Sequence, residues 1–150
     1  MKILCICHAN ICRSFMAQEF LKKFLPGATV FSRGFYADAA YQVPDKVKKA
    51  LKTHQITYVQ HISTQLSAQD LEQADLIFCM ERAHEERLLD RYAQYTQKIW
   101  LLSEFALGKT EDLEDPISLP ERAFAKQANH LYDLCQKAAT QIAQTLMTQK

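Results

Sequence analysis

The chain predicts an α/β fold, a single-domain three-layer α/β/α sandwich around a four-stranded parallel sheet. Three observations carry this. Short apolar runs recur at 2–7, 28–32, 76–80 and 99–102. Segments with helical spacing of apolar residues separate them and close the chain, an alternation that sets parallel strands between layers of helices. A length of 150 residues suits one domain with one sizeable core. No repeat, linker or second domain interrupts 1–150.

Lys2-Ile3-Leu4-Cys5-Ile6-Cys7 is apolar with β-branched residues and reads as a buried strand. From Arg13 the period changes: Met16, Phe20, Leu21 and Phe24 recur at helical spacing until Pro26-Gly27 stops them. Residues 28–32 read as the second strand, and a connection bearing Gly and Ala runs from Arg33 to Pro44. Asp45 to His54 predicts a helix with Val47, Ala50 and Leu51 on one face. Ser67 caps a short helix to Gln73, with Asp70 completing a variant capping box. Leu76-Ile77-Phe78-Cys79-Met80 is the third strand, Glu81 to Tyr92 a charged helix, and Ile99-Trp100-Leu101-Leu102 the fourth strand. An acidic loop from Gly108 to Pro120 holds Asp115-Pro116, and an amphipathic helix from Glu121 to about Met147 ends the pattern.

Lys and Arg number 18 against 17 Asp and Glu. That balance offers neither a broad basic field for nucleic acid nor an acidic tail, so an anionic ligand needs a local site. No signal peptide is evident, and no apolar stretch approaches the length of a membrane span. The five cysteines, at 5, 7, 12, 79 and 135, are too few and too uneven for a disulfide framework. A reducing, cytoplasmic compartment is expected.

In an open parallel sheet, ligands bind beyond the carboxyl ends of the strands. The first strand-to-helix turn is Cys7-His8-Ala9-Asn10-Ile11-Cys12-Arg13-Ser14. A helix N-terminus presents unpaired N–H groups and a positive dipole end, which bind a phosphate dianion and favour a thiolate nucleophile over a thiol. The five residues between Cys7 and Arg13 can loop around a tetrahedral anion, with the sulfur beneath phosphorus and the guanidinium gripping two oxygens. Ser14 is placed either to donate a hydrogen bond to the sulfur or to cap the helix. Asn10 suits a left-handed backbone conformation. Cys5, Cys79 and Cys135 read as core. The spacing of Cys5, Cys7, His8 and Cys12 lacks a zinc pattern, and no metal or cofactor is called for. His8 and His84 read as exposed and idle, and His61 as either loop support or a surface histidine. Tyr92, Tyr95 and Trp100 read as packing.

Set between a buried strand and a helix, this turn resembles the phosphate loop of the low-molecular-weight protein-tyrosine phosphatases, which carry it near the N-terminus of a chain of about this length. Asp115-Pro116 matches the family's late Asp-Pro pair, and Ser32, Gly34 and His61 match further landmarks. The resemblance implies that Cys7 attacks phosphorus while Asp115 protonates the leaving oxygen. Asp115 then acts as general base for the water that hydrolyses the phosphocysteine. Arg13 and the loop amides, from His8 and Ala9 onward, neutralise the transferring group without a metal. It also implies that Ser32 and His61 hold Asn10. Cys12 corresponds to a cysteine that can form a disulfide shielding Cys7 from irreversible oxidation. Ile11 corresponds to the residue of tyrosine-directed members, where arginine-directed relatives carry Thr. Pro116 keeps Asp115 out of a helix and presentable, with Glu114 beside it as an alternative acid.

Three positions depart from the family pattern. Ala9 stands where Gly is usual, at a cost of roughly 1 kcal/mol if positive φ is required. Phe15 replaces the Pro that follows the loop serine. Ile117-Ser118 replace aromatics that wall a phosphotyrosine slot, leaving Phe35, Tyr36 or Tyr41 as candidates for the other wall. The expected partner is a phosphorylated protein or a small aryl phosphate, with neither nucleic acid nor membrane, for a monomer or weak dimer. Alternatives on the same fold are a phosphate-sensing module without turnover, a protein-arginine phosphatase, and an arsenate reductase, for which Cys79 has no close partner cysteine in the chain.

Overall fold

A computed structural model describes residues 1–148. Its elements are β1 (Lys2–Cys7), α1 (Arg13–Phe24), β2 (Thr29–Gly34), α2 (Asp45–Thr53), α3 (Ala68–Gln73), β3 (Leu76–Cys79), α4 (Arg82–Arg91), β4 (Ile99–Leu101), α5 (Leu102–Leu107) and α6 (Glu121–Thr148). The four strands are parallel, as expected, and stand in the order β2-β1-β3-β4.

Successive residues of a strand face opposite sides of its sheet, and β1 divides accordingly. Ile3, Cys5 and Cys7 pack with residues of α1, α2, α5 and α6, whereas Leu4 and Ile6 pack with Leu71 of α3 and Leu88 of α4. These two cores are the two interfaces of an α/β/α sandwich. The capping box at α3 forms, with Asp70 N–H donating to Ser67 Oγ at 3.3 Å and Ser67 N–H to Asp70 Oδ2 at 3.0 Å.

The fourth strand ends one residue earlier than expected, because Leu102 opens α5 directly out of β4. No side chain caps that helix, so its start left no sequence signal; Gly108 at φ 70° terminates it in the left-handed conformation. β2 extends two residues past the predicted end, pairing Gly34 with Cys7. The chain first adds β2 on one side of β1 and then β3 on the other. The resulting switch point opens a crevice beyond the carboxyl ends of β1 and β3, where Cys7 and Glu81 emerge. No helix among the described residues is long and apolar enough to cross a membrane.

Candidate active site

Asn10 organises the turn after β1. It is fully buried and holds φ at 60°, a left-handed conformation that Asn tolerates better than most residues. Its side-chain amide donates to Ser14 Oγ at 2.9 Å and Ser32 Oγ at 2.8 Å. Its Oδ1 accepts from the Thr64 N–H at 3.0 Å, and its carbonyl lies 2.7 Å from His61 Nε2. Ser32 in turn donates to Gln18 Oε1 at 2.7 Å, and Ser63 Oγ donates to the Ala9 carbonyl at 2.7 Å. The loop is also stitched to the residues after β2, where Phe35 N–H and Tyr36 N–H donate to the carbonyls of Cys7 and His8. Gly34 permits this approach. A Cβ there would lie 2.8 Å from the His8 carbonyl oxygen and 3.0 Å from the Asn10 nitrogen.

Cys7, only 3% exposed, ends β1 with Sγ 2.9 Å from Ser14 Oγ. Because Ser14 Oγ already accepts from Asn10, its own hydroxyl proton is available to the sulfur. The relay runs from amide to hydroxyl to sulfur. The first turn of α1 contains no acidic side chain, and Cys12 provides no side-chain cap. The positive end of that helix is left to the loop.

Arg13 opens α1 and is 3% exposed. Its Nη1 pairs with the Glu81 carboxylate and also donates to the Leu113 carbonyl at 2.5 Å. Its Nε is buried without a hydrogen-bond partner among the described residues. A buried guanidinium with an unsatisfied N–H on the wall of a cleft is suited to receive an oxyanion.

Cys7, Ala9, Ile11, Cys12, Arg13, Asp115 and Ile117 line that cleft. The fold thus brings the nucleophile and clamp candidates, both from the turn after β1, together with the acid candidate from a loop late in the chain. Glu114 is absent from the lining; its carbonyl accepts from Gln127 Nε2 at 2.6 Å. Asp115 Oδ1 accepts from the Ile117 N–H at 3.2 Å, an Asx-type turn that fixes one carboxylate oxygen.

Burial, reinforced by the nearby Cys7 charge, pushes the Cys12 thiol up to about 12. Cys5, Cys79 and Cys135 are fully buried, and burial raises all three thiols far above the ordinary range. They belong to the core, as expected. His61 supports the loop, and burial lowers its pKa, keeping the imidazole neutral. Its ring stacks on Phe15 at a centroid distance of 4.1 Å and an interplanar angle of 13°. The aromatic at position 15 therefore braces His61. Ala9 is not among the positive-φ residues, so alanine carries no backbone strain there.

The remaining aromatic candidates lie elsewhere. Tyr36 is 53% exposed, with its ring 5.0 Å from His8 and its hydroxyl accepting from Arg87 at 3.1 Å. Phe35 packs into the α3/α4 core and Tyr41 is exposed. None of the three lines the cleft, whose lining includes Ile117. His8 is exposed, as expected. His84 corrects its expectation: it is half-buried, its ring 5.0 Å from Phe35, because α4 turns it inward. Tyr92 and Tyr95 pack against the core, and Trp100 packs on Phe105 while staying 37% exposed. The sequence reading missed Glu81, Gln18, Ser63 and the Leu113 carbonyl. Only Glu81 had a usable signal, its place directly after a strand at the switch point.

A sulfur, a buried guanidinium and a carboxyl around one cleft at this switch point define the class: an oxyanion-handling α/β enzyme. Residues 2–149 match the family model for low molecular weight phosphotyrosine protein phosphatase, and the chain belongs to that family. It is 34% identical over 124 residues to a probable low molecular weight protein-tyrosine-phosphatase, EpsP, of Ralstonia nicotianae, covering 81% of this chain and 82% of the relative. Identity to the low molecular weight protein-tyrosine-phosphatase Wzb of Salmonella typhi is 30%, covering 97% and 93%. The solved structure of the YwlE arginine phosphatase from Geobacillus stearothermophilus superposes with a TM-score of 0.92 at 27% identity, covering 99% and 97%.

Proposed function

We propose that the protein is a protein-tyrosine phosphatase that hydrolyses phosphomonoesters through a phosphocysteine on Cys7. The observation that carries this is the placement of Cys7 Sγ 2.9 Å from Ser14 Oγ, in a cleft shared with Arg13 and Asp115. In the first step sulfur bonds to phosphorus, the phosphorus–oxygen ester bond breaks, and Asp115 gives its proton to the leaving oxygen. In the second, Asp115 takes a proton from water as that water attacks phosphorus, and the sulfur leaves as thiolate. Arg13 and the loop N–H groups hold the phosphoryl oxygens in both steps. His8, Ala9, Asn10, Ile11 and Cys12 form the loop, and Ser14, Ser32 and His61 keep its shape.

Ala9, Ile11 and Ile117 support an aromatic ester as substrate, since they give the cleft apolar walls. A phosphoarginine would bring a cationic guanidino group, for which Asp115 is the one carboxylate in the described lining. Cys12, in the same lining, is the thiol that would condense with a Cys7 sulfenic acid, releasing water and forming a reducible disulfide. A cytoplasmic location and a phosphorylated protein partner follow from this reading.

The test is hydrolysis of an aryl phosphate by the purified chain. Multiple turnovers that vanish in Cys7→Ser support the enzyme. Tight vanadate binding without turnover would leave a phosphate-sensing module instead, and a preference for phosphoarginine over phosphotyrosine would reverse the substrate assignment.

A further inference from the structure

The segment that carries Asp115 is tethered on both flanks. On the N-terminal side, the Leu113 N–H donates to the Met80 carbonyl at 2.8 Å, and Gln127 Nε2 of α6 donates to the Glu114 carbonyl at 2.6 Å. On the C-terminal side, Lys46 Nζ of α2 donates to the Leu119 carbonyl at 2.6 Å, and the Leu119 N–H donates to the Pro116 carbonyl at 2.9 Å. Lys46 is half-buried, with its ammonium 5.9 Å from the centre of the Phe124 ring. Two side chains from helices outside the phosphate loop therefore grip the backbone immediately before and four residues after the acid.

We propose that Lys46 and Gln127 are positioning residues for the Asp115 carboxyl. The inference rests on the assignment of Asp115 as general acid. An acid on an irregular loop must keep its proton within hydrogen-bond reach of the leaving oxygen. A displacement of about 1 Å from productive geometry can cost two orders of magnitude in rate. The Asx turn from Asp115 Oδ1 to the Ile117 N–H fixes the carboxyl relative to its own loop. Lys46 and Gln127 fix that loop relative to Cys7 and Arg13. Neither side chain lines the cleft, so they act through the loop and not on substrate.

The test uses Lys46→Met and Gln127→Met, which keep a long, slender side chain and remove the donor, with Lys46→Arg as rescue and Lys49→Met as a neighbouring control. Turnover is measured on an activated ester, p-nitrophenyl phosphate, and on phenyl phosphate, whose poorer leaving group needs the proton more. Both Met variants are expected to lose roughly tenfold or more on phenyl phosphate, with a much smaller loss on the activated ester and unchanged vanadate affinity. Lys46→Arg should restore turnover, and Lys49→Met should leave the ratio of the two rates as in the wild type. In an Asp115→Asn background the Met substitutions should add no further loss. Amide exchange at Ile117 should quicken in both Met variants.

Equal losses on both esters, or losses that add to those of Asp115→Asn, would overturn the positioning role. An Asp115→Asn variant that loses equally on both esters would instead remove the general-acid assignment, and the positioning proposal with it. Those two failures are told apart by which single variant shows the flat profile.

Discussion

Arg13 donates from Nη1 to the backbone carbonyl of Leu113 at 2.5 Å, tying the start of α1 to the segment that carries Asp115. The same nitrogen pairs with Glu81, just after β3. One guanidinium thus connects phosphate loop, switch point and acid loop, while its Nε stays without a partner among the described residues.

Glu81 should matter for both stability and anion affinity. Removing one member of a buried ion pair leaves the other charge uncompensated. Glu81 is 27% exposed, so Glu81→Gln is expected to cost roughly 2 kcal/mol, less than a fully buried pair. Phosphate would then be the main remaining counter-charge for Arg13. Thermal unfolding should show a lower Tm for the variant and a larger upward shift on adding phosphate than in the wild type.

The hydrogen bonds of Asn10 and its left-handed backbone make separable contributions. Asn10→Gly relieves the φ requirement but removes the side-chain bonds; Asn10→Ala loses the bonds and adds strain. Chemical denaturation should place both below the wild type, with Asn10→Ala lower by about 1 kcal/mol than Asn10→Gly. Vanadate affinity should fall in both.

Gly34→Ala tests the contact between β2 and the loop. The added Cβ meets backbone atoms of His8, Asn10 and Ala9, which cannot swing aside as a side chain can. The variant should fold with wild-type circular dichroism yet bind vanadate roughly tenfold more weakly or worse. Unchanged affinity would show that the loop can shift without cost.

His61 gives the fold a pH dependence whose sign is set by burial. Its folded pKa is depressed below the ordinary 6.5, so in mildly acidic solution the unfolded chain takes up a proton that the folded chain resists. Stability is then complete above that ordinary value and declines as pH falls through the folded value. Denaturation at about pH 7.5 and about pH 5.5 should show a larger acid loss for the wild type than for His61→Gln, which keeps a donor toward the Asn10 carbonyl but does not titrate.

The elements legible in the sequence were those with local signals. The run ending in Cys7, the Pro26-Gly27 stop, the Ser67–Asp70 cap and the long periodic C-terminal helix all reappear in the fold. α5 was hidden because Leu102 reads equally as the last residue of an apolar strand and the first of a helix. The site divides in the same way. Cys7 through Ser14 is one contiguous turn whose chemistry follows from residue types and order. By contrast, Glu81 and Leu113 reach Arg13 across 68 and 100 positions, and only strand order brings them there. The brace of Phe15 on His61 has the same long-range character, with a loop after α2 returning to α1.

Chemical trapping of the intermediate bears most directly on the account. An aryl phosphate should be mixed with the enzyme, quenched in acid within one turnover, and the peptides mapped by mass spectrometry. The expected result is a single phosphoryl group on Cys7, absent from Cys7→Ala mixed with the same substrate. Turnover with no phosphorylated cysteine, or with the label on His8 or another residue, would contradict a mechanism built on Cys7.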